Sequence, residues 1–219
     1  ELRSDELNFF RLLIKKYGSI YNFAPTHSYH KQISNLEGLH KSEKQINTIF
    51  TERLHFLDSF ANEKLLSKNF IEIASNVIKS AAIKDSLLLY WSNKILLSQL
   101  DIYNSLIKEK MNTIKNISYQ PFPVYFNTCR VIVSMLTTKY LDYELQDSLD
   151  IIKRFNFADS NFTGLTKDFL LATTLNMAYF KSIPISKKYL QKFYSECHND
   201  IYKNIVKKKI DEKKYVMHV

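Results

Sequence analysis

Glycine and proline are scarce in this 219-residue chain, with three glycines (Gly18, Gly38, Gly164) and four prolines. Tight hairpin turns and glycine-rich phosphate loops need such residues, so a sheet protein and a mononucleotide-binding loop are both disfavoured. Cysteine is scarcer still. Cys129 and Cys197 are the only two, which is too few for a disulfide framework. Both fall on predicted apolar helix faces, where buried thiols are the expectation, and an intracellular compartment fits better than secretion. No run of 18 or more apolar residues occurs, so no transmembrane helix and no membrane insertion are expected. The longest apolar uncharged stretch, 169–180, has the length of a core helix. Arginine is limited to Arg3, Arg11, Arg53, Arg130 and Arg154 against 26 lysines. Dedicated phosphate sites usually favour the planar arginine fork.

What is present is a folded, basic composition. Hydrophobic residues make up 45% of the chain, and the net charge is +9. Apolar residues recur at the 3.6-residue period almost throughout. Ser4 opens a first helix to about residue 16, with Leu7, Phe10, Leu13 and Ile14 on one face and Gly18 just past its end. A second helix, capped by Thr26 or Ser28, carries Tyr29, Ile33 and Leu36 and stops near Gly38. Ser42 and Gln45 have capping-box spacing and open a third helix. Ser67 caps a fourth, with Phe70, Ile71, Ala74, Val77, Ile78 and Ala81 in register. Asp85 is expected to cap a segment over 87–114 that breaks near 98–101.

Pro121 and Pro123 then stop any preceding helix, and two helix pairs follow. The first covers about 124–138 and 142–155, the second about 166–180 and 186 onward to about 213. The pairs start about 40 residues apart, as in helical arrays. In the first pair Val131, Ile132, Met135 and Leu136 are expected to face Leu145, Leu149 and Ile152. In the second, Phe169, Leu170, Ala172, Leu175 and Phe180 are expected to face Leu190, Phe193, Cys197 and Ile201, which with Tyr194 and Ile205 form one wall of the last helix. The fold expected is all-α, an array of antiparallel helix hairpins of the alpha-alpha superhelix type. A soft boundary divides an N-terminal helical segment (1–118) from C-terminal hairpins with a basic final helix (119–219), within one continuous helical domain.

The motifs of common enzymes are missing from the sequence: no Walker loop, dinucleotide fingerprint, nucleophile elbow or HExxH occurs. His27 and His30 are the only close histidine pair and lack further ligands at metal spacing. Cys197 and His198 are adjacent and point about 100° apart on a helix. Asp147 and Asp150 read as a solvated face rather than an acid/base pair. No catalytic residue, metal site or cofactor is expected, nor a small-molecule substrate. The positive charge is concentrated at the C-terminus, where residues 181–219 hold ten lysines and four acids. On a single straight helix Lys188, Lys192, Lys203, Lys207 and Lys214 share one side. That stripe is either the wet face opposite a buried one or a polyanion contact that releases counterions.

The string VYFNTCRVI at 124–132 resembles the opening helix of a pentatricopeptide repeat. Val124, Phe126, Asn127, Thr128 and Ile132 take equivalent or near-equivalent places. The resemblance implies that Asn127 lines a concave groove and contacts an RNA base. LTKDFLL at 165–171 would put Asp168 in the corresponding place of the next pair, and SYHKQI at 28–33 offers His30. The pattern departs from the family at Lys139, Tyr140 and Leu141, where a glycine is missing, and at Ser148, which stands in place of alanine. Similar degenerate repeats occur in fungal mitochondrial RNA-maturation and translation factors. The resemblance therefore implies non-catalytic binding of single-stranded RNA, with the mitochondrion as one compartment and the cytoplasm and nucleus left open. Tetratricopeptide-type arrays share the architecture and bind proteins, so a scaffold or adaptor subunit of a larger assembly is the alternative.

Overall fold

Phe70, Ala74, Val77, Ile78 and Ala81 recur at helical spacing, and in the computed structural model they form the buried stripe of one long helix. The structure describes residues 4–18, 33, 35–117, 123–137 and 148–216, with side chains through Asp211. The described residues are all-α and contain no strand. The helices are α1 (Ser4–Tyr17), α2 (Leu36–Glu63), α3 (Lys68–Ser92), α4 (Lys94–Gln99), α5 (Tyr103–Lys115), α6 (Pro123–Thr137), α7 (Ser148–Asn161), α8 (Gly164–Phe180), α9 (Lys187–Glu196) and α10 (Asp200–Val216). The chain divides into two compact units, Glu1–Thr128 and Cys129–Val219, with the division inside α6.

In the first unit α3 packs along α2 and against α4 and α5. The connection from α2 to α3 is only residues 64–67, so the two form an antiparallel hairpin. Ser67 makes that turn specific. Its hydroxyl accepts from Phe70 N–H at 3.1 Å as an N-cap and donates to the buried Glu6 carboxylate at 2.7 Å. Phe9 is the centre of an aromatic cluster, with ring centroids of Phe10, Phe56, Phe60 and Phe70 at 5.4, 5.7, 5.6 and 5.8 Å. Phe10 and Phe70 meet it edge-on, Phe60 is tilted and Phe56 is stacked at 23°, all favourable aromatic arrangements. Arg53 is fully buried with its guanidinium 5.2 Å from the centroid of Tyr17.

Several sequence expectations shift in this unit. In α1 the core residues are Phe9 and Leu13, while Leu7 and Ile14 are exposed, so the buried face is rotated from the one expected. The aromatic cluster accounts for this, because Phe9 buries more apolar surface than Leu7 can. The second expected helix lies mostly outside the described residues, His27 and His30 included. Gly38 does not end a helix. It sits in the first turn of α2, where Asn35 caps by accepting from Gly38 N–H at 2.9 Å. A Cβ at Gly38 would come within 2.7 Å of Ile33 Cγ2, so this close approach needs glycine. Ser42 is therefore interior, and its hydroxyl donates to Gly38 O at 3.0 Å. Asp85 is likewise interior, fully buried within α3. The helix ends instead at Asn93, whose side chain donates to Leu89 O and accepts from Ile33 N–H, each at 2.9 Å. A second break falls between α4 and α5, where Asp101 takes φ +54°, close to the expected place.

In the second unit α8 is the central helix, packed by α7, α9 and α10. Its buried residues, from Thr166 and Asp168 through Leu175 to Ala178, cover about two thirds of the helix circumference, and the remaining face, with Phe169, Thr173 and Phe180, is partly or fully exposed. So broad a buried arc is what a helix packed by three others requires. α7 and α8 are joined by residues 162–163 alone and form a second hairpin. α7 runs on to Asn161 rather than ending near Phe155, and Leu149, expected inside, is exposed while Ile151 is buried. Phe180, also expected to pack, is exposed.

Candidate nucleic-acid interface

The basic C-terminal stretch is not one helix. It breaks at residues 197–199 into α9 and α10, which corrects the expected single run from Ser186. The cause lies some thirty residues earlier. Asp168, on α8 and 2% exposed, accepts from His198 N–H at 2.9 Å and from Asn199 N–H at 3.1 Å with one carboxylate oxygen. Those two N–H groups are thereby withdrawn from an α9 ladder. Asn199 then caps α10, its side-chain oxygen accepting from Ile201 N–H at 3.0 Å and Tyr202 N–H at 3.2 Å. The break changes the phase of the last helix. Val206 turns fully inward, while Ile201 and Ile205, expected on the buried wall, are 68% and 42% exposed.

The break also separates the lysines. Lys188 and Lys192 belong to α9, and Lys203 and Lys207 to α10. Lys188 and Lys207 are exposed and make no ion pair with any described residue; Lys203 is partly buried. The side chain of Lys214 lies outside the described residues. Lys192 has a different occupation. Its ammonium lies 2.5 Å from Asp159 of α7 and 3.9 Å from Glu196. Lys167 of α8 lies 2.6 Å from Asp159 and 2.7 Å from Glu196. Four side chains thus close a network that joins α7, α8 and α9. Burial acts to raise the Asp159 pKa, but the hydrogen bonds and charges of the two lysines outweigh it and hold the carboxyl below the ordinary range.

Of the three residues that the resemblance put at the base-contacting place, His30 lies outside the described residues and Asn127 is exposed on α6, in the first unit. Asp168 is inside the second unit as the acceptor that shapes the α9–α10 joint. Lys208 was missed by sequence reasoning. It is exposed beside Lys207, and it shares a stripe with Ile201 and Ile205, which the sequence pattern places on the buried wall. Burial pushes the Cys197 thiol up, and its sulfur lies 3.5 Å from Asn199 O. A thiol held protonated is a poor nucleophile, and His198 meets Asp168 through its backbone rather than its ring. Burial, partly offset by Asp150 and reinforced by Arg130, lowers the Arg154 pKa to about 10. Among the described residues no group of three or more His, Cys, Asp or Glu side chains could hold a metal, and no helix is long and apolar enough to cross a membrane. Compared with protein-family models, with curated proteins and with solved structures, the chain has no match.

Proposed function

We propose that this chain is a non-catalytic RNA-binding protein built from stacked helix hairpins, with α10 as its phosphate-contacting element. The observation that carries the reading is the division of labour among the lysines. Lys167 and Lys192 are engaged by carboxylates inside the fold, whereas Lys188, Lys207 and Lys208 reach solvent without a carboxylate partner among the described residues. Each such lysine can neutralise one phosphate and release its condensed counterion. Asn127, exposed on α6, is the base-contacting residue of this reading; Asp168 is not, because its carboxylate is engaged by backbone N–H groups. The α2–α3 and α7–α8 hairpins, each closed by a short connection, support the helical-repeat arrangement. Organellar RNA maturation or translation is the setting that the pentatricopeptide resemblance suggests. Ultraviolet cross-linking to a U/A-rich single strand, followed by peptide mapping, tests the reading. Cross-links within 200–211 and at 123–130 are expected; cross-links elsewhere would sink it.

A second reading, a scaffold or adaptor that binds another protein, is favoured by Ile201 and Ile205. Both are exposed on α10 in a stripe with Asn204 and Lys208, and apolar exposure of that kind serves protein contact better than phosphate contact. Ile201→Ser/Ile205→Ser discriminates the two, since it should leave RNA affinity unchanged and weaken a protein complex.

A further inference from the structure

We infer that the groove between α6 and α7, inside the second unit, is a nucleobase subsite for single-stranded RNA. The inference rests on the RNA-binding reading and adds to it a place where a base is held. Leu136 of α6 and Ile152 of α7 supply aliphatic walls, and the partly buried Phe157 supplies an aromatic surface. Asn156 is exposed at the rim with its amide in no hydrogen bond to a described residue. Lys153 lines the same groove and makes no ion pair with a described residue. A flat apolar surface, an amide that both donates and accepts, and one cation are the three chemistries that a nucleotide presents in complement: a π-face, a polar base edge and a phosphate.

Charge separates this groove from the two in the first unit. The one along α2 is lined by Glu43 and Glu52 against Lys44, and the one between α1 and α2 by Glu52 and Glu63 against Lys16, so carboxylates outnumber lysines in both. Carboxylates there repel a phosphate backbone. The described lining of the α6–α7 groove holds no carboxylate, and its one charged group is Lys153. Two polar side chains of the lining bond back to their own helices. Thr137 Oγ1 donates to Val133 O at 2.7 Å, and Asn161 donates through its amide nitrogen to Phe157 O at 2.9 Å. Among the described residues none donates to the Asn161 carbonyl oxygen, which can accept from a base.

The test compares a U/A-rich RNA ten-mer with an abasic ribose–phosphate strand of equal length, at fixed salt, on the full chain. The wild type should prefer the base-bearing strand by at least about fivefold, the lower end of base–aromatic stacking. Phe157→Leu, which keeps the groove apolar but removes the stacking face, and Asn156→Ala, at an exposed position, should each shrink that preference with the salt slope unchanged. Lys207→Glu/Lys208→Glu should do the opposite, lowering affinity for both strands and keeping the preference. Circular dichroism checks that each variant is folded. Equal affinity of the wild type for the two strands, with salt-dependent binding intact, overturns the subsite alone. So does a preference that survives both groove variants. Failure of both strands to bind at low salt overturns the subsite together with the RNA reading.

Discussion

Replacing Asp159 by asparagine keeps the shape of the side chain and removes the charge at the centre of the α7–α8–α9 network. Asp159 is 15% exposed and holds Lys167 at 2.6 Å and Lys192 at 2.5 Å. Hydrogen bonds to charged groups contribute about 1.5–3 kcal/mol net, and Lys167 keeps Glu196 at 2.7 Å in the variant. The expected loss is therefore about 2 kcal/mol, inside that range. Lys192 is 37% exposed, so solvent screens its share, and Lys192→Ala should cost only about 0.5 kcal/mol. The pH dependence follows from the directions of the shifts. The Asp159 pKa is lowered, so its contribution is present above the unfolded carboxyl value and is lost as pH falls through the folded one. The Lys167 and Lys192 pKa values are raised, so theirs is present below the unfolded lysine value and is lost as pH rises through the folded one. The network should stabilise the fold across neutral pH and fade towards both extremes. Urea unfolding followed by circular dichroism at pH 7 measures the difference, and a pH series should show wild type and Asp159→Asn converging in acid. A loss below about 0.5 kcal/mol, the value of an ordinary surface pair, would refute the reasoning. A gap that persists undiminished in acid would refute it too.

Asp168→Ala should cost about 2 kcal/mol, because it leaves the N–H groups of His198 and Asn199 without their acceptor. Amide hydrogen exchange at those two positions should accelerate; unchanged exchange would mean the α9–α10 joint is held by something else. Phe9→Ala should cost about 3–5 kcal/mol as a fully buried aromatic. Leu7→Ala, on the exposed side of the same helix, should stay within about 0.5 kcal/mol, and equal costs in urea unfolding would contradict the face assigned to α1. Cys197, buried and with its thiol pKa raised, should react with a disulfide reagent at neutral pH far more slowly than the same cysteine in the urea-unfolded chain. Mass mapping separates it from Cys129, and comparable native and unfolded rates would contradict its burial.

The helical class was legible in the sequence because it depends on local signals. The 3.6-residue period of 70–81, the Ser67 cap and the Gly18 stop each act within one or two turns, and the structure has all three. Gly18 has φ +78° and donates its N–H to Ile14 O at 2.7 Å, as a helix-ending glycine should. The misreadings have long-range causes. Gly38 looked like a stop, yet its lack of a Cβ serves a contact with Ile33 at the start of α2. Asp85 looked like a cap, yet it continues a buried helix. The joint at 197–199 is set by Asp168 on another helix, and no window of neighbouring residues contains that information. The candidate site was legible as a charge excess but not as a surface. Sequence counts lysines equally, whereas the fold commits Lys192 to Asp159 and leaves Lys207 and Lys208 at the exterior.

The central claim is that α10 contacts phosphates, and its most direct test is the salt dependence of binding to a labelled U/A-rich single-stranded RNA. Wild type and Lys207→Glu/Lys208→Glu would be titrated side by side over a series of salt concentrations. Each phosphate contact to a single strand contributes a slope of about −0.7 in log affinity against log salt. The account predicts an affinity near or below micromolar at low salt that falls steeply with salt, and a slope shallower by about 1.4 in the double variant. Absence of binding at low salt, or a double variant whose slope and affinity match the wild type, would contradict it and turn attention to the exposed isoleucines of α10 as a protein-binding face.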